Sequence, residues 1–249
     1  GSRPSHAVYQ GRQYTQEQYE RIIKPLISEP NCRHDVFPII LGVSEPVYTE
    51  EELQNIDQPP FAYEGRKYTA YEASQQMRKM ERAMRKQKDR CIVADAAGDV
   101  ENYTVASIRL RRQKDIYENF CKAANSFTQY ERQYVAGYNR SLAGKSSYAV
   151  KVYKQMQSLV GMKTSQGTAV TGISDHLVGR AIQRNIKQKD IKDALTNPLG
   201  YGKIKTDGNG NRSIEYTGAN ARVIINPDTG NIISVWQTSS KIKKKYGVI

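Results

Sequence analysis

Residues 202–237 read GKIKTDGNGNRSIEYTGANARVIINPDTGNIISVWQ, and this stretch decides the fold of the C-terminal part of the chain. The runs 202–206 and 212–217 are separated by Asp207-Gly208-Asn209-Gly210, residues that reach positive φ easily and close a hairpin. The runs 221–226 and 231–237 are separated by Pro227-Asp228-Thr229-Gly230, a type I turn followed by a left-handed glycine. Four short β-rich runs in succession predict an antiparallel meander. Immediately upstream, Ser174-Asp175 caps a helix over 176–184, and a second helix over 187–195 is stopped by Asn197-Pro198. Two helices followed by four strands specify a small α+β domain over 171–249.

Moving toward the N-terminus, residues 141–170 carry Ala143-Gly144-Lys145-Ser146-Ser147 and Lys163-Thr164-Ser165-Gln166-Gly167-Thr168-Ala169, small polar residues that read as a linker enclosing a short helix over 148–160. Residues 163–170 are the expected place for proteolytic release of the tail. Before the linker, Ala73, Met77, Met80, Met84 and Cys91 recur at helical spacing. Gly98-Asp99 interrupts the pattern, and Val105, Ile108, Ile116 and Phe120 resume it. This predicts an antiparallel helical hairpin over 70–125. Its basic residues are interleaved with eight acids from Glu72 to Glu118, the pattern of a solvated face. The first 60 residues are broken by seven prolines, with one helical stretch over 15–27 and a helix start at Thr49-Glu50-Glu51-Glu52. The fold class expected is thus α+β in two domains, 1–140 and 171–249.

Composition bounds the function. The 249 residues hold 38 Lys+Arg against 25 Asp+Glu, a net charge of +13, and this favours a polyanionic partner. The excess is concentrated: residues 161–249 carry 14 basic and 6 acidic side chains, a net +8. No apolar run approaches the ~18 residues of a membrane span, no secretory leader is read, and three scattered cysteines make no disulfide framework.

The sharpest chemical pattern is on the first helix of the tail. His176, Arg180 and Arg184 are spaced i, i+4, i+8 and share a face. The helix N-terminus favours a neutral imidazole at His176. One imidazole beside two guanidinium groups suits phosphodiester cleavage: the base takes the ribose 2′-OH proton and the cations hold the charged phosphate. The last strand ends in Thr238 and Ser239, whose hydroxyls can bind phosphate beside the basic run Lys241, Lys243, Lys244 and Lys245. Tyr216 and Arg222 at neighbouring strand ends complete the candidate substrate contacts. No cofactor and no metal are expected there, because the domain has no cluster of acids or of Cys/His ligands.

The stretch Ser174-Asp175-His176, Arg180, Arg184, Ile191, Ala194-Leu195, Asn197-Pro198, Glu215-Tyr216-Thr217-Gly218, 223–227 and the closing Thr238-Ser239 resembles the polymorphic-toxin nucleases of the barnase–EndoU–colicin–RelE fold. The resemblance covers residues 171–246. It implies a metal-independent ribonuclease with His176 as general acid/base, Arg180 and Arg184 as phosphate binders, and Thr238 or Ser239 completing the site.

The front of the chain carries His6-Ala7-Val8-Tyr9-Gln10-Gly11 and Asn31-Cys32-Arg33-His34, then Pro59-Pro60-Phe61 and Tyr68-Thr69-Ala70-Tyr71. Over 1–140 it resembles tailed-phage minor capsid proteins of the Mu F head-morphogenesis type, with Tyr9 where that family usually has Trp. The resemblance implies that a helical region precedes this segment in a longer chain. His6, Cys32 and His34 are weak candidate metal ligands. Their 25-residue gap is not a recognised zinc spacing, and a hydrogen-bonded cluster is the favoured reading.

Together the two resemblances imply a phage minor head protein with a C-terminal endoribonuclease toxin, located in the virion and the bacterial host cytoplasm. Its partners would be RNA, tRNA included, the phage portal and capsid proteins, and an immunity protein, with no membrane. The alternative is a non-enzymatic head-morphogenesis protein whose basic tail binds DNA or the portal.

Overall fold

The computed structural model describes residues 2–30, 32, 34–40 and 42–248. The chain divides into two compact units, Gly1–Lys79 with Glu118–Thr128, and Met80–Tyr117 with Gln129–Ile249.

The first unit begins with the short helix α1 (Pro4–Ala7). Helix α2 (Gln16–Gln18) continues through one π-helical turn, Tyr19–Ile23, into α3 (Lys24–Ile27). Thr15 and Gln18 form a reciprocal capping box at the start of this stretch, as do Thr49 and Glu52 at α4 (Glu50–Gln54), so the helix start read at Thr49 is in place. An unanticipated antiparallel hairpin, β1 (Phe61–Tyr63) with β2 (Arg66–Tyr68), supplies the apolar centre. Phe120 meets Phe61, Tyr63 and Tyr68 edge-on at centroid separations of 5.7, 5.3 and 5.1 Å. Before Tyr68, His6 and Ile23 are the buried side chains among the described residues, whereas Phe37, Ile40, Val43 and Val47 stand in solvent.

The long helices α5 (Ala70–Ala96) and α6 (Val100–Ala123) form the expected helical hairpin. Gly98 makes the turn at φ 65°. In the second unit, Cys91, Ala94, Tyr103 and Ala106 of these helices pack with Leu142 of α7 (Arg140–Gln157). Glu81, fully buried, accepts a 2.8 Å hydrogen bond from the Tyr117 hydroxyl.

Helix α7 corrects the linker reading of 141–170. Asn139 caps it through the Leu142 N–H, and the Tyr103 hydroxyl bonds the Leu142 carbonyl at 2.6 Å. The helix is thereby fixed by tertiary contacts that outweigh the low propensity of Gly144 and the serines. Residues 161–170 are also ordered: the Gly161 N–H bonds the Val170 carbonyl, the Thr164 N–H the Thr168 carbonyl, and the Ser165 N–H the Leu195 carbonyl.

The C-terminal α+β arrangement follows. After β3 (Gly172–Ile173) come α8 (Asp175–Gln183) and α9 (Gln188–Thr196), then β4 (Gly200–Tyr201), β5 (Lys205–Thr206), β6 (Arg212–Thr217), β7 (Ala221–Ile225), β8 (Asn231–Gln237) and α10 (Ser240–Lys245). The sheet order is β3-β8-β7-β6-β4, with β5 also paired to β6. Two features differ from a plain four-stranded meander. Strand β3 pairs in parallel with β8. The single strand expected over 202–206 is instead two short pieces on β6, because pairing slips by one residue between Tyr201↔Tyr216 and Lys205↔Ser213.

One core unites the helices and the sheet. Leu177, Val178 and Ala181 of α8 and Ile191, Ala194 and Leu195 of α9 cover Tyr216, Val223, Ile225, Ile232 and Val235. The same cluster includes Ile108 of α6 together with Met156 and Leu159, so the α+β portion is not closed by residues 171–249 alone.

Candidate functional site

The site is built on α8. Ser174 accepts from the Leu177 N–H at 3.0 Å and donates to the Ile233 carbonyl at 2.9 Å, which fixes the helix start against β8. Asp175 follows, at the positive end of the helix. It pairs with Arg112 at 2.8 Å and Arg109 at 3.6 Å, both from α6 and both about half exposed. Gly179 lets the two helices touch: a Cβ there would lie 2.8 Å from the Glu101 Cα.

This close crossing delivers Glu101 to the predicted face of α8. One carboxylate oxygen lies 2.8 Å from His176 Nδ1 and the other 3.2 Å from Arg180 Nε. A carboxylate accepts only, so Nδ1 carries the hydrogen and Nε2 of the neutral ring is left as the basic atom. The His176 side chain is 52% exposed and the Arg180 side chain 31%. Arg180 also donates to Ser234 Oγ at 2.6 Å. Arg184 donates to the Val235 carbonyl at 2.5 Å and lies over the Trp236 ring at 5.2 Å.

The three α8 residues do share a face, while most of the other candidates are committed to contacts of their own. Thr238 is buried, with its hydroxyl donating to the Gly218 carbonyl at 2.7 Å. It follows Gln237, whose side-chain amide donates to the Arg184 carbonyl at 2.6 Å, so it lies beside the C-terminal end of α8 with its own hydroxyl already committed. Ser239 starts α10 without a side-chain cap bond. Tyr216 is a core residue, fully buried, whose hydroxyl meets Thr164 Oγ1 at 3.1 Å, since alternation along β6 turns it inward. Arg222 pairs with Glu215 at 3.4 Å across β6 and β7. Lys241 and Lys243 lie on α10, the latter 3.4 Å from Asn220 Oδ1. Glu101, Arg109 and Arg112 are the members that the sequence reading missed. They lie more than 60 residues from their α8 partners and look there like any other charges of the hairpin.

In the first unit, His6, Cys32 and His34 come together. Their donor atoms lie within 4.8 Å of one another. Asn31 and Arg33 of the same motif are outside the described residues.

Residues 1–122 match the family model described as Phage minor capsid protein 2. Over this segment, just under half of its length, the chain is similar to phage minor capsid proteins. The match suggests a place in the phage virion for this segment. No curated protein and no solved structure matches the chain. No helix among the described residues is long and apolar enough to cross a membrane.

Proposed function

We propose that this chain is a phage head protein of the Mu F head-morphogenesis type and carries a metal-independent endoribonuclease in its second unit. The observation that carries the reading is the Glu101 carboxylate shared by His176 Nδ1 and Arg180. In the reaction, His176 Nε2 takes the ribose 2′-OH proton as the 2′-oxygen bonds to the adjacent phosphorus. The bond from phosphorus to the 5′-oxygen breaks, and the imidazolium returns its proton to that oxygen. The products are a 2′,3′-cyclic phosphate and a 5′-OH. Glu101 fixes the tautomer and stabilises the transient imidazolium, in the manner of a carboxylate–imidazole pair. Arg180, with Arg109 and Arg112 nearby on α6, supplies positive charge for the phosphorane. Lys241 and Lys243 on α10 extend the basic surface toward the RNA backbone, for which tRNA is one candidate. Thr238 and Tyr216 have no part in the chemistry. The exposed Phe37, Ile40, Val43 and Val47 offer an apolar surface to portal or capsid neighbours. An immunity protein would protect the producing host cytoplasm.

A second reading, a non-enzymatic head protein whose basic tail binds DNA or the portal, is favoured by the internal partners of Arg180 and Arg184, which act as ties between α8 and β8. The full chain separates the two. Incubated with RNA in EDTA, it should give cyclic-phosphate ends, and His176→Ala should abolish them while Glu101→Gln lowers the rate. Intact RNA, with duplex DNA binding that weakens steeply with salt, would establish the second reading instead.

A further inference from the structure

We propose that His6, Cys32 and His34 form a zinc site that ties α1 to the chain following α3. The Cys32 Sγ lies 3.7 Å from His6 Nδ1 and 3.2 Å from His34 Nδ1. With Zn–S about 2.3 Å and Zn–N about 2.0–2.1 Å, the edge of a tetrahedron between sulfur and nitrogen is about 3.6 Å. Both separations are close to that edge, so one ion reaches all three atoms with small side-chain adjustments.

The outer ring atoms support the same assignment. His6 Nε2 lies 3.2 Å from Glu29 Oε2, and Arg3 donates to that same oxygen. A carboxylate accepts only, so His6 carries its proton on Nε2 and directs the Nδ1 lone pair at the cluster. His34 Nε2 is anchored by Ser2 Oγ at 3.1 Å. Ligand histidines held through the opposite nitrogen by a carboxylate or hydroxyl are the usual outer arrangement of a metal centre. A thiol has one proton, and with two imidazole Nδ1 atoms facing the same sulfur it can donate to only one of them.

Burial gives the site a purpose. The His6 side chain is 2% exposed, in a segment where Ile23 is the other buried residue before Tyr68 among those described. A region so poor in apolar burial gains folding free energy from a metal cross-link. Two nitrogens and a thiolate suit zinc over harder cations, and water completes the tetrahedron. Binding replaces the Cys32 S–H bond by an S–Zn bond and releases the proton to solvent.

The test uses the full chain, stripped with chelator under reducing conditions and then titrated with zinc or cobalt(II). Wild type should retain a single zinc per chain through gel filtration and show a thiolate-to-cobalt charge-transfer band. Cys32→Ser and His34→Gln should lose both signals, and His176→Ala should keep both. Glu29→Gln, which leaves every ligand in place, should weaken zinc binding roughly 10–100-fold. A wild-type chain that holds no zinc and gives no cobalt band overturns the assignment, whether or not the ligand variants fold. So does wild-type affinity in Cys32→Ser or in Glu29→Gln.

Discussion

Replacing Gly179 by alanine sets two effects of opposite sign against each other at one atom. Helix propensity alone favours alanine over glycine in a helix interior by about 1 kcal/mol. The structure opposes it, because the new Cβ would lie 2.8 Å from the Glu101 Cα and 2.9 Å from the Glu101 carbonyl oxygen. Backbone atoms cannot swing aside as a side chain would, so α8 and α6 must separate. Overpacking of this kind costs about 1–3 kcal/mol. The balance runs from about zero to a net loss of about 2 kcal/mol, and because both clashing atoms are backbone the expected loss is about 1 kcal/mol or more. Gly144 provides the control: it lies inside α7 with open space around its Cβ position, so alanine there should stabilise by about 0.5–1 kcal/mol. For a urea m-value of about 2 kcal/mol/M, the Gly179→Ala midpoint should fall by about 0.5–1 M while the Gly144→Ala midpoint rises. Parting the helices also withdraws Glu101 from His176, so RNA cleavage should fall with stability. A Gly179→Ala chain that unfolds at or above the wild-type midpoint would refute the claim that this glycine is what lets α6 complete the site.

Leu159→Ala should cost about 2–5 kcal/mol in the same denaturation assay, because this side chain is fully buried in the core shared with α8 and β8; a residue of a loose linker would show almost no effect. Alkaline pH should destabilise the second unit through Tyr103, whose phenol is pushed up to about 12, chiefly by burial. A folded-state value above the unfolded value of about 10 means that the native state holds the proton more tightly. That contribution is intact below pH 10 and is lost as the pH rises from there toward 12. Tyr103→Phe should therefore flatten the fall in stability across that window, and an unchanged slope would exclude Tyr103 as its source.

What could be read from the sequence was local. The Asp207-Gly208-Asn209-Gly210 and Pro227-Asp228-Thr229-Gly230 turns, the Thr49 cap, and the shared face of His176, Arg180 and Arg184 are set by residues within a few positions of one another. Contacts made at long range could not be read in that way. Glu101 meets His176 across 75 residues, and its spacing on α6 carries no trace of that meeting. The parallel pairing of β3 with β8 depends on two residues only, too short a run to have a period. Helix α7 looked like a connector because small and polar residues were read by composition. Its Ser146 is buried within hydrogen-bonding distance of the Tyr103, Ser107 and Tyr138 hydroxyls. The position of Tyr216 and Thr238 near strand ends does not reveal that both are turned into the interior, where their hydroxyls meet Thr164 and the Gly218 carbonyl.

The hydrogen-bonded loop at 161–170 has a consequence for how such a tail could be set free. A protease that cut there would leave a nick and not a detached fragment, since Met156 and Leu159 on one side of the cut share a core with Leu177 and Ile191 on the other. The two pieces should co-elute as a non-covalent pair until denaturant parts them. The α+β portion, grafted elsewhere, would have to take α6 and α7 with it, so the workable joint lies upstream of the hairpin turn at Gly98.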